Sequence, residues 1–258
     1  FKSSMKKNTG MKRSVSILPL FIIIFSVALA LSFEGRAAIS RIRTVAAVKD
    51  SLSNFAEKNT EVALLYERLD LAGKGLSRKA FEYAMQGFAY LRRKGDIRND
   101  EVISIVDFSL PSSSRRLFVI DLASNEVLFC TYVAHGQNSG KEYARQFSNT
   151  PESNKSSLGF YRTGATYQGA HGYSLKLEGL EKGINDNADR RDIVIHGAAY
   201  VSEALIRAQG YLGRSLGCPA LPEKLHKPII DKIRNGTCLF IYGGDKAYPA
   251  KSKILRES

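Results

Sequence analysis

Between Arg43 and Arg93, apolar residues recur at spacings of three and four, the period of helices that bury one face. Gly73 and Gly75 interrupt this pattern, and Ser77 is placed to cap the next helix. The apolar positions that carry the period are Val45, Val48, Leu52, Phe55, Ala56, Val62, Leu65, Tyr66, Leu69, Ala80, Phe81, Ala84, Met85 and Phe88. We therefore predict a small helical segment over residues 33–100, packed against or beside the domain that follows it.

From Val102 onwards the period of the apolar positions falls towards two, which is typical of strands with one buried face. The strand candidates are Val102–Phe108, Arg116–Asp121, Val127–Ala134, the stretch around Leu175 and Leu177, Ile193–Ile195 and Thr237–Tyr242. Helical spacing returns within Val201–Ala208 and Leu225–Ile233. These elements predict an α+β fold, with a mainly antiparallel, sandwich-like domain over residues 101–258.

The first 32 residues indicate export. A basic stretch that ends at Lys12 and Arg13 precedes the uncharged apolar run Val15–Leu31, and Ala28–Ala30 is a small-residue cleavage site. The run of about 17 residues also reaches the short limit of a membrane span. Residues 1–32 are therefore predicted to be a cleaved signal peptide or an uncleaved anchor in the cytoplasmic membrane. Either way, the remainder is predicted to lie in the periplasm or cell envelope.

The formal net charge is +13, from 38 lysines and arginines against 25 acidic residues. Five of these basic residues precede the apolar run, which leaves +8 beyond it. A basic exported domain would be drawn to an anionic cell wall, although a merely solvated surface explains the charge equally well. Nucleic acid is excluded as a partner by export and by the lack of a basic helix or aromatic platform. No glycine-rich nucleotide loop is present, and we predict no cofactor.

Three cysteines leave an odd count in an exported protein. Cys130 and Cys238 both lie in alternating, strand-like runs. Each is predicted to be a small buried apolar residue, with a Cys130–Cys238 disulfide as the alternative. The spacing of the cysteines matches no metal site.

The third cysteine, Cys218, lies in a Gly-Cys-Pro turn, and His196 lies at the end of a short apolar run. A thiol needs a partner such as an imidazole to supply thiolate at neutral pH, so these residues are the parts of a nucleophile and its base. Gly217 permits a sharp turn, and Pro219 stiffens it. The amides of Gly217 and Cys218 are the predicted donors to an oxyanion.

These motifs resemble those of the L,D-transpeptidases, or YkuD-type domains. The family has a histidine-glycine at a strand end and then, after a gap, Ser/Thr-His-Gly-Cys. Here His196 is followed by the 18 residues 197–214, which begin with Gly197, and then by Ser215–Cys218. Leu216 stands where the family has a second histidine, and Pro219–Ala220 replaces an apolar residue with Asn or Arg. The stretches that carry the resemblance include AHGQNSG, SSLGFY, IVIHGAAYVS and GRSLGCPAL.

The resemblance implies acyl transfer on peptidoglycan stem peptides. Cys218 would attack the carbonyl on the L-centre of the third, diamino-acid residue and expel the terminal D-alanine, while His196 acts as base and then as acid. An amine acceptor would give a cross-link, and water would give L,D-carboxypeptidation.

Residues around this pair are candidates for binding the stem peptide. His135 lies in a glycine-bounded loop, His171 and Tyr173 belong to a stretch that resembles the family's flap, and Arg214 precedes the nucleophile turn. For His135 a structural loop histidine is the alternative, and for Arg214 a salt bridge. The full set of predicted substrate-binding residues is Gly197, Tyr200, Arg214, Ser215, His171, Tyr173 and His135.

Two other functions remain open at this stage. Leu216 and Ala220 depart from the family motif, which suggests a non-catalytic wall-binding protein on the same fold. Another Cys/His cell-wall amidase is the second alternative. The papain-like order of cysteine before histidine is reversed here, which counts against it.

Overall fold

The computed structural model describes residues 60–258, so the predicted export segment 1–32 and much of the predicted helical segment lie outside the described residues. Within residues 60–258 the sheet has eight strands. They are β1 (Val102–Asp107), β2 (Leu117–Asp121), β3 (Glu126–Thr131), β4 (Gly159–Gly169), β5 (Gly172–Gly179), β6 (Val194–Gly197), β7 (Ala220–Leu221) and β8 (Cys238–Tyr242).

These strands form one mixed sheet in the order β3-β2-β1-β8-β4-β5-β6-β7, which curls into a half-barrel. Neighbours are antiparallel except for the pairs β1–β8 and β6–β7, which are parallel. The predicted α+β class and the mainly antiparallel character of the sheet are confirmed. The sequence pattern does not predict β4 and β7, because three glycines interrupt the apolar alternation of β4 and β7 has only two residues.

Helices cover the sheet. A helix α1 includes residues 60–68 of the described part. It is followed by α2 (Arg78–Lys94), α3 (Glu203–Gln209), α4 (Glu223–Ile233), α5 (Tyr248–Lys251) and α6 (Lys253–Arg256). Among residues 60–258, no helix combines the length and the hydropathy needed to cross a membrane.

Helix α2 begins and ends as the sequence predicts. The hydroxyl of Ser77 accepts a hydrogen bond from the Ala80 amide, and Gly95 adopts the left-handed conformation that ends the helix. Its apolar face packs against β1 and β8. At Gly87 the helix approaches the sheet so closely that a Cβ would lie 2.0 Å from Cζ of Phe160. The helix therefore belongs to the same compact unit as the sheet, residues 60–258.

The alternative disulfide is wrong. Cys130 lies on β3 and Cys238 on β8, and β2 and β1 separate these strands. Three strand spacings place the two backbones about 14 Å apart, well beyond the reach of a disulfide. Both cysteines are free thiols; Cys238 is fully buried, and Cys130 is half-buried against the core.

We expect Gly87→Val to destabilise the protein by about 2–3 kcal/mol, because the new side chain must displace the buried ring of Phe160. That ring is fully buried and stacks on Phe240 at 4.3 Å. Urea unfolding measures the change. Glu82→Ala, at an exposed position on the same helix, is the control and should change stability by less than about 0.5 kcal/mol. Equal stability of the two variants would contradict this packing.

Candidate active site

The Ser215–Cys218 turn is closed by its own hydrogen bonds. Ser215 Oγ accepts from the Gly217 amide at 3.1 Å and donates to the Cys218 carbonyl at 2.7 Å. Gly217 has φ +134°, which favours glycine, and a Cβ there would lie 3.0 Å from the Lys155 carbonyl oxygen. The hydroxyl of Ser156 donates to the Gly217 carbonyl at 3.0 Å. Ser215 is thus a residue of the turn itself, and Gly217 is required by both conformation and space.

The pairing of β6 with β7 brings the cysteine to the histidine. His196 lies opposite Ala220 in the parallel register, so Cys218, two residues earlier, lies beside Val194. Its Sγ is 3.5 Å from the Val194 amide nitrogen and 3.5 Å from the Asp192 carbonyl oxygen. In the described part of the chain these are the hydrogen bonds of the thiol, and none joins it to the imidazole.

The imidazole of His196 is oriented by the backbone. Its Nδ1 lies 2.9 Å from the Gly197 carbonyl oxygen, so Nδ1 carries the proton and Nε2 is left as the basic nitrogen. The ring is 2% exposed and stacks on His171 at a centroid distance of 4.3 Å. Burial lowers the pKa of His196, and positive charge on His171 or His226 would lower it further. The imidazole is therefore neutral at neutral pH.

The thiol of Cys218 is subject to opposing effects. Burial raises its pKa, and the charge of Asp192 adds to that rise. The Val194 amide and the guanidinium of Arg191 lower it. Sequence reasoning missed Arg191, because nothing in the stretch Asp189–Asp192 distinguishes this arginine from Arg190.

Of the two predicted oxyanion donors, Gly217 donates its amide proton to Ser215 Oγ. The amide of Cys218 donates to no other residue within residues 60–258. The Cys218 amide is therefore free of any other acceptor residue within residues 60–258, whereas the Gly217 amide is already engaged by the turn. The oxyanion role of both amides stays a prediction.

Three of the predicted substrate-binding residues lie around this pair. His171, at the exposed tip of the β4–β5 hairpin, stacks on His196. Tyr200 lies within the electrostatic reach of Cys218: burial raises its pKa to about 12, and charge on Cys218 contributes. At Gly197 a Cβ would lie 2.7 Å from the ring of His226, so α4 closes that side of the site.

Two others are engaged elsewhere. Tyr173 donates its hydroxyl proton to Asp231 Oδ1 of α4 at 2.6 Å. Arg214 is exposed and donates to the carbonyls of Gln137 and Gly140 at 3.2 and 3.3 Å. It forms no salt bridge among the described residues, which rules out that alternative there.

His135 is a structural histidine. It is fully buried, its Nδ1 accepts from Arg116 Nη2 at 2.7 Å, and its Nε2 lies 3.2 Å from the Gly140 carbonyl. Burial and the charge of Arg116 lower its pKa to about 4. Both ring nitrogens are occupied, so the predicted contact of His135 with substrate has no support in this geometry.

The fold and the site together define an α+β protein in which a thiol, on the turn that leads into β7, lies beside the strand β6 that carries an imidazole. Among residues 60–258, no group of three or more His, Cys, Asp or Glu side chains is placed to hold a metal ion. The chain belongs to the family of L,D-transpeptidase catalytic domains, whose model YkuD_2 matches residues 72–242.

Solved structures were also compared with the chain. An L,D-transpeptidase from Mycobacterium smegmatis is 15% identical, with a TM-score of 0.33 over 55% of this chain and 58% of that one. The helical cell shape determining protein Pgp2 from Campylobacter jejuni is 14% identical, with a TM-score of 0.36 over 63% of this chain and 57% of that one. The match thus spans a little over half of each of these structures. Comparison with curated proteins gave no match.

The buried His135 predicts an acid-sensitive fold. Its pKa is about 4 when folded and near 6.5 when unfolded, so the unfolded state binds the additional proton and stability falls as the pH drops from 6.5 towards 4. Between pH 7.5 and 5, wild type should lose about 2 kcal/mol more than His135→Gln. Urea unfolding at the two pH values measures this difference. Parallel losses in wild type and variant would contradict the structural assignment of His135.

Proposed function

We propose that this protein is a cysteine-dependent L,D-transpeptidase that acts on peptidoglycan stem peptides. The supporting observation is the parallel pairing of β6 with β7, which sets Cys218 beside the strand that carries His196. Membership of the family makes acyl transfer the expected chemistry.

In the proposed mechanism, His196 Nε2 takes the proton of the Cys218 thiol, and the thiolate attacks the carbonyl of the third residue of a stem tetrapeptide. The C–N bond to the terminal D-alanine breaks, and His196 returns its proton to the departing amine. An amine acceptor or water, deprotonated by His196, then attacks the thioester and frees Cys218. The amide of Cys218 would stabilise the oxyanion at each attack.

The resting state of this pair is neutral. Burial raises the pKa of the Cys218 thiol and lowers that of His196, so neither group is charged at neutral pH. The thiol bonds to Asp192 and Val194 at rest, and it must rotate towards the imidazole to transfer its proton. Hydrogen bonds of this kind are often long in free enzymes and shorten when substrate binds.

The stem peptides lie outside the cytoplasmic membrane, so the proposed reaction requires export. Residues 1–32 supply the expected signal, as a cleaved peptide or as an anchor. We propose that the domain acts in the periplasm or cell envelope, where its excess of basic residues would favour the approach to an anionic wall.

A second function, binding to the wall without catalysis, is favoured by one observation. Leu216, next to Gly217, is 67% exposed at the turn and can neither accept nor donate a proton. If no other group replaces it, Cys218 would be inert and the domain would act as a scaffold. Cleavage at a different peptide bond would instead indicate a Cys/His amidase.

We expect Cys218→Ala to abolish release of D-alanine from tetrapeptide muropeptides, with a loss of at least about a thousandfold, because the nucleophile is removed. Intact-mass spectrometry follows the products, and a carbapenem should form an adduct with wild type only. The mass of the peptide product separates cross-linking from hydrolysis.

The control for this experiment is Cys130→Ala, which removes a half-buried thiol on β3 and should retain turnover and adduct. Absence of both turnover and adduct, in wild type shown to be folded and reduced, would replace the proposal with the non-catalytic wall protein.

The pH dependence of the reaction tests His196 as base. Because its pKa lies below the ordinary value, the neutral base persists in mild acid and the acid limb of kcat/KM should lie below pH 6.5. Rates of D-alanine release from pH 5 to 9 measure it. His226→Gln removes a neighbouring charge that lowers the pKa of His196, so its limb should move to higher pH. A wild-type limb above pH 6.5 would exclude this base.

A further inference from the structure

Within residues 60–258, Arg191 is a half-buried cation without an anionic partner. It ends the short 3-10 helix Asp189–Arg191 that leads into β6. Its guanidinium donates to the carbonyls of Ser148 and Lys155 at 2.8 and 2.5 Å, and to the hydroxyls of Ser153 and Ser157. All of these acceptors are neutral, and no salt bridge of Arg191 exists among residues 60–258. Because no counter-ion neutralises the guanidinium, its charge can stabilise a neighbouring anion.

The neighbour is the nucleophile turn. A Cβ at Gly217 would lie 3.3 Å from Arg191 Nη2, so the guanidinium packs on the residue before Cys218. The same arginine fixes the segment 148–157, whose Ser156 holds the Gly217 carbonyl. It therefore acts on the turn both through this segment and through its charge.

Among residues 60–258, four titratable groups lie around Cys218. Asp192 would repel a thiolate, Tyr200 stays a neutral phenol because its pKa is raised to about 12, and His196 on β6 is neutral at rest. Arg191 is the permanent cation of this group. Its effect is mutual with that of the thiol, because Arg191 lowers the pKa of Cys218 and a charged Cys218 raises that of Arg191.

We propose that Arg191 is a positioning residue for the reaction, which holds the Cys218 turn in place and stabilises the thiolate with its unpaired charge. This deepens the proposed function and rests on it only for the role of Cys218 as nucleophile. The fixed cation offsets part of the cost of forming a thiolate in a buried site that also contains Asp192.

The test is the pH profile of Cys218 alkylation by iodoacetamide, followed by intact mass in a Cys130→Ser background. Cys238 is fully buried and should not react. At a fixed pH below the thiol pKa, Arg191→Gln should react about tenfold more slowly, the change given by a one-unit rise in pKa. Arg191→Lys keeps the charge and should stay near wild type. Arg190→Gln removes an exposed arginine next in sequence and is the matched control.

An Arg191→Gln profile equal to wild type would overturn the proposal, and so would equal slowing in Arg191→Lys and Arg191→Gln, which indicates scaffolding alone. If Arg191→Gln fails to fold, Arg191→Met, which keeps an unbranched side chain without the charge, is measured in its place and should show the same tenfold slowing. An Arg191→Met rate equal to that of wild type would overturn the proposal. Alkylation of Cys218 requires no turnover. If Arg191→Gln raises the pKa of the Cys218 thiol but the wild type shows no transpeptidation, this inference holds and only the proposed function is lost.

Discussion

The site depends on a strand of two residues. Ala220 and Leu221 pair in parallel with His196 and Gly197, and Ala134 bridges Ala220 from the other side. This pairing fixes the point at which the chain returns after α3, and the tight turn before it then sets Cys218 beside β6. Thiol and imidazole therefore share a location because the backbone brings them together, without a direct bond between their side chains.

Burial determines the protonation states of the two reactive side chains at this site. It favours the neutral form of both His196 and Cys218, so the pair has little charge until a substrate arrives. Such a site is protected from casual oxidation of its thiol, since the reactive species is the thiolate. Forming the thiolate then requires help from surrounding groups, and Arg191 is the cation that the fold places within reach. The site also depends on the tip of the β4–β5 hairpin, because His171 at that tip covers the imidazole of His196.

Local patterns in the sequence identify much of this arrangement. Period and caps are enough for α2 and for most strands, and the Gly-Cys-Pro turn identifies Cys218 as a candidate without knowledge of its neighbours. Contacts between distant segments are what the sequence does not contain. The strand order that separates Cys130 from Cys238, and the approach of Arg191 to Gly217, both follow from the topology. The burial of His135 could not be predicted for the same reason. It depends on a contact with Arg116, and the sequence indicates only that Arg116 begins a strand.

The bridge at Ala134 has one more consequence. Ala134 lies just beyond β3, at one edge of the sheet, while its partner Ala220 lies in β7 at the other edge. The half-barrel is thus fastened across its opening, and β7 has neighbours on both sides. Without the bridge, β7 would be an edge strand whose unpaired backbone groups could pair with a strand of another chain. The bridge therefore protects the segment next to Cys218 from pairing with a strand of another chain. Because it joins the two edges of the sheet, opening of one edge would also release the other.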